Sequence, residues 1–303
     1  MKRKLAFVLG GGGARGAMQV GALRALLEAG FYPDILVGTS IGAVNAAFMA
    51  SRGIKLETID RLEKAWQDAM VADLLPSNYL WLSVRTLFNR PMVSHAHRMQ
   101  SFFINHDLSP ELKFNDIHGV QLVVIAADLN TGSPVLFGLD PTQSVLEGVL
   151  ASTTLPPWIS PMQKDGQLLI DGGVVSNLPI ETALMLGATE IIALDLFDPR
   201  SLISDAPGFG EFVSKLLITI AHRQQELELA LASARSIPVR RINLRGEEPV
   251  LLSDFQHTLP LIKRGYTLTK NDIARWQIEN QPVWRKWLSQ FRQGGLLKQR
   301  ANP

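Results

Sequence analysis

No cysteine occurs among the 303 residues. Disulfides, thiolate metal sites and cysteine nucleophiles are therefore excluded, and the chain needs no oxidising compartment. A charge excess is missing too. Lys and Arg number 30 against 28 Asp and Glu, a net of +2, which gives no electrostatic ground for a nucleic-acid partner. Long apolar runs are lacking: no stretch approaches the roughly 20 residues of a membrane span. Lys2, Arg3 and Lys4 ahead of Leu5–Leu9 imitate a secretory leader. The apolar run stops at Gly10, however, short of the about 7–15 residues a leader needs. It reads as a buried first strand. A cytoplasmic protein is expected, with at most peripheral contact to a membrane surface. Internal repeats and Pro/Gly/Ser linkers are also absent, so one domain is expected.

What is present is apolar material for a large core: 46% of residues are hydrophobic and 19% charged. Strand-like and helix-like stretches alternate. Strands are predicted at 4–9, 35–37, 122–126, 134–137, 168–170, 191–194 and 239–244, the hairpin at 122–137 turning at Asn130-Thr131-Gly132. Helices are predicted at 16–29, 41–51, 142–152, 179–187 and 208–235, with irregular helix over 55–105 and mostly helix from 258 to about 293. This alternation implies a three-layer α/β/α fold with a mainly parallel central sheet. Residues 4–200 would form its core, and residues 201–303 a helical and strand part packed on the same domain.

Three motifs carry chemistry. Gly38-Thr39-Ser40-Ile41-Gly42 has a strand before it and a helix after it. A serine in such a sharp turn points its hydroxyl outward, and Gly38 and Gly42 leave room for the turn and for substrate. The alternative is an ordinary strand-to-helix turn of small residues. Gly10 to Gly13, followed by Ala14-Arg15-Gly16, is a glycine loop whose N–H groups suit a developing oxyanion. Gly11, Gly12 and Gly13 are the candidate donors, with Arg15 and Gly16 supporting the loop. The same glycines also match a dinucleotide fingerprint, but Asp34 precedes the second strand instead of following it. The third motif is Asp171-Gly172-Gly173 at a strand end. Its carboxylate could take the Ser40 proton during attack and return it to a leaving group; a plain turn is the competing reading.

In this order, the three motifs resemble those of the patatin-like phospholipase family. Ala151-Ser152 followed by Pro156 resembles that family's segment between nucleophile and aspartate. The resemblance implies a Ser40–Asp171 dyad, an oxyanion hole in the glycine loop and hydrolysis of lipid acyl esters, with no metal and no organic cofactor. Plant-type members often carry Asp directly before the three glycines; Gly10 stands there in this chain.

Rival readings remain. A Ser-His-Asp esterase would need His257 or His222 in the order Ser, acid, His. His95 and His97, two apart on a helix, diverge and have no carboxylate pair for a metal. A non-catalytic lipid-binding or regulatory protein could keep the same fold. The substrate side suggests lipid: Tyr79, Leu80, Trp81, Leu82, Leu87 and Phe88 are expected to border an acyl-chain entrance and touch a membrane surface. Near the C-terminus, Trp276, Trp284, Trp287, Leu288 and Phe291 interleave with Arg275, Arg285, Lys286 and Arg292. Trp284, Trp287, Leu288 and Phe291 would share one helical face, which packs on the sheet more often than it meets lipid.

Overall fold

The computed structural model describes residues 3–72, 93–156, 159–202, 209–252 and 254–279. The apolar run at the N-terminus is strand β1 (Leu5–Leu9), entirely buried. Its alternate side chains enter two different cores. Leu5, Phe7 and Leu9 belong to one, Ala6 and Val8 to the other. A strand covered on both faces has no polar side to show, which is why its sequence does not alternate. Strands β2 (Ile35–Thr39), β3 (Gln121–Asp128) and β7 (Glu190–Asp195) divide their apolar residues in the same way.

The sheet is mixed. β1 pairs in parallel with β2 and β7, β2 with β3, and β7 with β8 (Val239–Asn243). β4 (Ser133–Phe137) and β6 (Gln167–Asp171) pair antiparallel with β3, and β5 (Met162–Lys164) antiparallel with β6. β5 is absent from the sequence expectation. Its signal is Asp165-Gly166, which take φ of 49° and 79° in the hairpin turn. Positive φ at both turn residues matches the strand twist, and Asp-Gly favours it.

Helices cover both faces. The larger core receives α1 (Ala17–Glu28), α2 (Ile41–Arg52), α3 (Leu56–Ala69), α4 (Val93–Asn105), α5 (Val145–Ser152) and α8 (Thr258–Glu279). The smaller core lies under α6 (Ile180–Met185) and α7 (Phe209–Ala234). The irregular helical stretch predicted over 55–105 contains α3 and α4, with residues 73–92 outside the described residues. α8 packs along α1, and β8 joins the sheet, so residues beyond 200 contribute to the same core. Among the described residues, no helix is long and apolar enough to cross a membrane.

One strand organises the site. β4 takes one edge of β3, at residues 124–128. β2 and β6 must therefore share the other edge. β2 pairs with it up to Ile125, and β6 begins at the next residue, Ala126, whose partner is Asp171. Register alone thus brings Asp171 to the end of β2, where Ser40 follows.

Candidate active site

Ser40 stands between β2 and α2 with φ 55° and ψ −126°. A non-glycine residue in that region is strained, and such strain persists only where the surroundings hold it. Several contacts hold it here. The Ser40 N–H donates to Ser152 Oγ at 2.8 Å, and Ser152 Oγ donates to Ile125 O at 2.6 Å. Thr39 Oγ1 donates to Ser176 O at 2.8 Å. A Cβ at Gly42 would fall 2.1 Å from Leu9 O, and one at Gly38 would fall 2.5 Å from Gly42 O. Both glycines are required by close backbone approach. The Ser40 side chain makes no capping bond to its own helix, and it shares a cavity with the Asp171 carboxylate.

Asp171 is 3% exposed. Its Oδ1 accepts the Gly173 N–H at 2.7 Å. Burial penalises the charged form and raises its pKa to about 6, against the Ser40 hydroxyl and the Gly173 amide, which favour the carboxylate. The group remains ionised at neutral pH and is a stronger base than an ordinary carboxylate.

The glycine loop lies against Ser40, where a Cβ on Gly11 would fall 3.1 Å from Ser40 Cβ. Gly13 has φ 55°, and a Cβ there would meet Leu252 O at 2.3 Å. The Ala14 N–H donates to that carbonyl at 2.7 Å. The Gly11 N–H donates to Asn177 O at 3.0 Å. Gly11 therefore departs from the sequence expectation, because its donor is already committed. The N–H groups of Gly12 and Gly13 have no acceptor among the described residues. Arg15 is buried, and its Nε donates to Gly12 O at 3.2 Å. Burial lowers its pKa, while Asp198 and Asp195 act in the opposite direction. Gly16 lies against Ile41 and Trp66, where a Cβ would fall 2.5 Å from Ile41 Cγ1.

Sequence reading passes over a buried polar network behind this loop. Gln19 Nε2 donates to Gly10 O at 2.8 Å, and Asn45 Nδ2 to Gly16 O at 3.1 Å and to Gln19 Oε1 at 2.9 Å. Trp66 Nε1 donates to Asn45 Oδ1 at 2.9 Å. The available signal was a polar residue inside the apolar first half of each of two helices, Gln19 in α1 and Asn45 in α2. Ser152 was visible only as part of a matching segment; its contact explains its place there.

Ser40, Asp171, Gly11, Gly12, Gly13 and Arg15 line one cavity of about 180 Å³. Its remaining described walls are mainly apolar, and include Val44, Phe48, Trp66, Phe103, Phe197 and Phe255. Val44 and Phe48 follow Ser40 along one face of α2, so at 1.5 Å per residue the cavity tracks that helix for about 12 Å.

The histidines weighed from sequence lie elsewhere. His257 is exposed and holds Asp254 Oδ2 at 2.9 Å. His222 stacks on Phe197 at 4.5 Å. Neither lines the cavity. His106 does, packed 4.3 Å from Phe102 and 3.5 Å from Asp68, with burial lowering its pKa. His97 is exposed, and the side chain of His95 lies outside the described residues. Among the described residues no group of three or more His, Asp or Glu is placed to hold a metal. Asp34 accepts the Leu5 N–H at 2.8 Å, at the strand end away from the glycine loop. Residues 79–88 lie outside the described residues, as do Trp284, Arg285, Lys286, Trp287, Leu288, Phe291 and Arg292. Trp276 is packed, edge-on to Phe31 at 6.0 Å and under the Arg240 guanidinium at 5.1 Å, and neighbouring Arg275 pairs with Asp272.

Residues 7–184 match the family model described as patatin-like phospholipase. The mouse protein named patatin-like phospholipase domain-containing protein 7 is 35% identical over 213 residues, 69% of this chain and 15% of its own length. Neuropathy target esterase sws of Drosophila melanogaster is 30% identical over 212 residues, 69% of this chain and 14% of its own. Lysophospholipase nte1 of Aspergillus terreus is 32% identical over 225 residues, 72% of this chain and 13% of its own. The chain thus corresponds to a small part of each of these longer relatives. Among solved structures, VipD from Legionella pneumophila aligns with a TM-score of 0.50 at 14% identity, covering 91% of this chain and 67% of that one. That likeness is one of fold. A family match over more than half of the chain, running through every motif gathered at the cavity from Gly11 to Asp171, places this protein in the patatin-like phospholipase family.

Proposed function

We propose that the protein hydrolyses lipid acyl esters, with Ser40 as nucleophile and Asp171 as its acid and base. The observation that carries this reading is a buried carboxylate, Asp171, sharing one cavity with the Ser40 side chain and with two glycines whose N–H groups are uncommitted. The apolar cavity suits an acyl chain. The names esterase and lysophospholipase borne by two relatives support the same class of substrate.

Ser40 Oγ attacks the ester carbonyl carbon while Asp171 takes its proton. The carbonyl oxygen becomes an oxyanion and is held by the N–H groups of Gly12 and Gly13, fixed in place before the reaction and so needing no reorganisation. The positive end of the α2 dipole, at Ser40, favours the same charge. Collapse of the adduct breaks the bond to the alcohol, which leaves with the proton from Asp171. The acyl group is then on Ser40. Water attacks it, Asp171 takes a proton from that water, and collapse releases the fatty acid as the proton returns to Ser40. Burial of Asp171 serves this cycle, since a pKa of about 6 lets one carboxyl act as base and then as acid near neutral pH.

The direct test is a panel of phospholipids, lysophospholipids, acylglycerols and short esters, with products read by mass spectrometry, alongside a fluorophosphonate probe. Release of free fatty acid and labelling of Ser40 alone are expected. No acid released from any member of the panel, with Ser40 unlabelled, would reject hydrolysis in favour of a binding or regulatory role.

A further inference from the structure

The loop from Gly172 to Asn177 ties the parts of the site together. It begins at Asp171. Its Ser176 carbonyl accepts Thr39 Oγ1 at 2.8 Å, and its Asn177 carbonyl accepts the Gly11 N–H at 3.0 Å. Nucleophile strand, glycine loop and aspartate all depend on where this loop sits. Its far side is held by α7, in a part of the chain beyond the matched residues 7–184. Gln224 Nε2 donates to Val174 O, and one turn further along, Glu228 accepts the Ser176 hydroxyl.

Glu228 is 7% exposed and has no salt-bridge partner among the described residues. Its carboxylate accepts one further bond from the start of α6, the Glu181 N–H at 3.0 Å; the Ile180 N–H, which donates to Leu178 O at 2.7 Å, also favours its charged form. An ionised carboxylate accepts both donors; a protonated one exchanges an acceptor position for a donor. Burial, the largest influence, raises its pKa to about 7, opposed by the Ser176 hydroxyl and the two N–H groups. The charged group facing it from α6 is Glu181, which pushes in the same direction as burial. Glu228 does not line the cavity, so any influence on the reaction passes through the loop.

We infer that Glu228 is a positioning residue for Ser40 and Asp171, gripping the 172–177 loop through Ser176 in its ionised form. This rests on the hydrolase reading above. A purely structural role would alter stability or expression without changing the proton dependence of turnover.

The test measures kcat and KM of the full chain on a short soluble ester across about pH 5–9. In the wild type, protonation of Glu228 loosens the loop while protonation of Asp171 removes the base, so kcat should fall on the acid side by about tenfold more than a single ionisation gives, with a limb steeper than about tenfold per unit where Glu228 titrates. Glu228→Gln can still accept the Glu181 N–H and meet Ser176 with its amide. It should keep more of its kcat at pH 8 than Glu228→Ala, and its acid limb should relax to about tenfold per unit. Ser176→Ala should lower kcat about tenfold with KM within about twofold. An acid limb unchanged in Glu228→Gln, or kcat within about twofold of wild type in both Glu228→Ala and Ser176→Ala, would overturn the assignment. Should Glu228→Ala fail to fold, Glu228→Gln and Ser176→Ala decide it. A wild type that turns over no ester removes the hydrolase reading and this one with it. An active wild type with unaltered variants rejects the positioning role alone.

Discussion

At the scale of single residues, Asp171 links stability to activity with opposite signs. Its pKa is raised from 3.8 to about 6 by burial. The native state therefore binds a proton that the unfolded chain has released over this interval. Stability from this group is full below the unfolded value and is lost as pH rises through the folded one. By pH 8 the buried carboxylate costs about 3 kcal/mol, at 1.36 kcal/mol per pKa unit. In the proposed mechanism activity runs the other way, because there Asp171 must be ionised to act as base. Asp171→Asn should thus be inactive yet at least as stable as wild type at pH 8, and its advantage should shrink towards pH 4. Thermal unfolding at the two pH values checks this; a mutant less stable at pH 8 would contradict it. Ser152 makes a second claim. It joins the Ser40 N–H to Ile125 O inside the protein, so Ser152→Ala removes the acceptor of the buried Ser40 N–H and one donor to Ile125 O. A loss of about 1–3 kcal/mol per buried orphan is expected, together with lower kcat as the strained turn relaxes. Wild-type kcat in a destabilised Ser152→Ala would show that the turn holds without this bond.

Among elements, legibility followed the physics of each. β1, β2 and β7 were readable because strands buried on both faces are continuous apolar runs. The elbow was readable because its glycines and serine sit at a strand-to-helix junction. The β5–β6 hairpin was missed, although Asp165-Gly166 signalled it, because its flanking strands are short and lack alternation. Helix crossings could not be read at all. α1 and α8 meet where a Cβ on Gly21 would fall 1.9 Å from Ile262 O and one on Gly265 1.9 Å from Met18 O. In sequence, both glycines simply weaken a helix. In the fold they allow two backbones to touch. Gly21→Ala and Gly265→Ala should therefore each destabilise the chain by about 1–3 kcal/mol or more through overpacking, despite alanine's higher helix propensity. Denaturant midpoints report it; stabilisation by either substitution would mean that the helices separate at no cost.

Across the whole molecule, the site is an outcome of strand order. Motif order along the chain was legible, and so were Ser40, Asp171 and the glycine loop. Their meeting was implied by the family resemblance alone; its cause, β2 and β6 sharing one edge of β3, could not be read. The same limit applied to Gly11, whose donor is used by Asn177, and to His106, which reaches the cavity although sequence order favoured His222 and His257. Tertiary contacts decide which backbone donors stay free and which side chains meet.

The central claim is that Ser40 and Asp171 work as one unit without a histidine. Kinetics of Ser40→Ala, Asp171→Asn and the double variant on one acyl ester test it most directly, with His106→Ala, His222→Ala and His257→Ala beside them. Each dyad variant should lose about 10⁴-fold or more in kcat, and the double variant no more than the worse single. Each histidine variant should stay within about tenfold of wild type. Asp171→Asn with near-wild-type turnover, or a 10⁴-fold loss at any one histidine, would contradict the dyad.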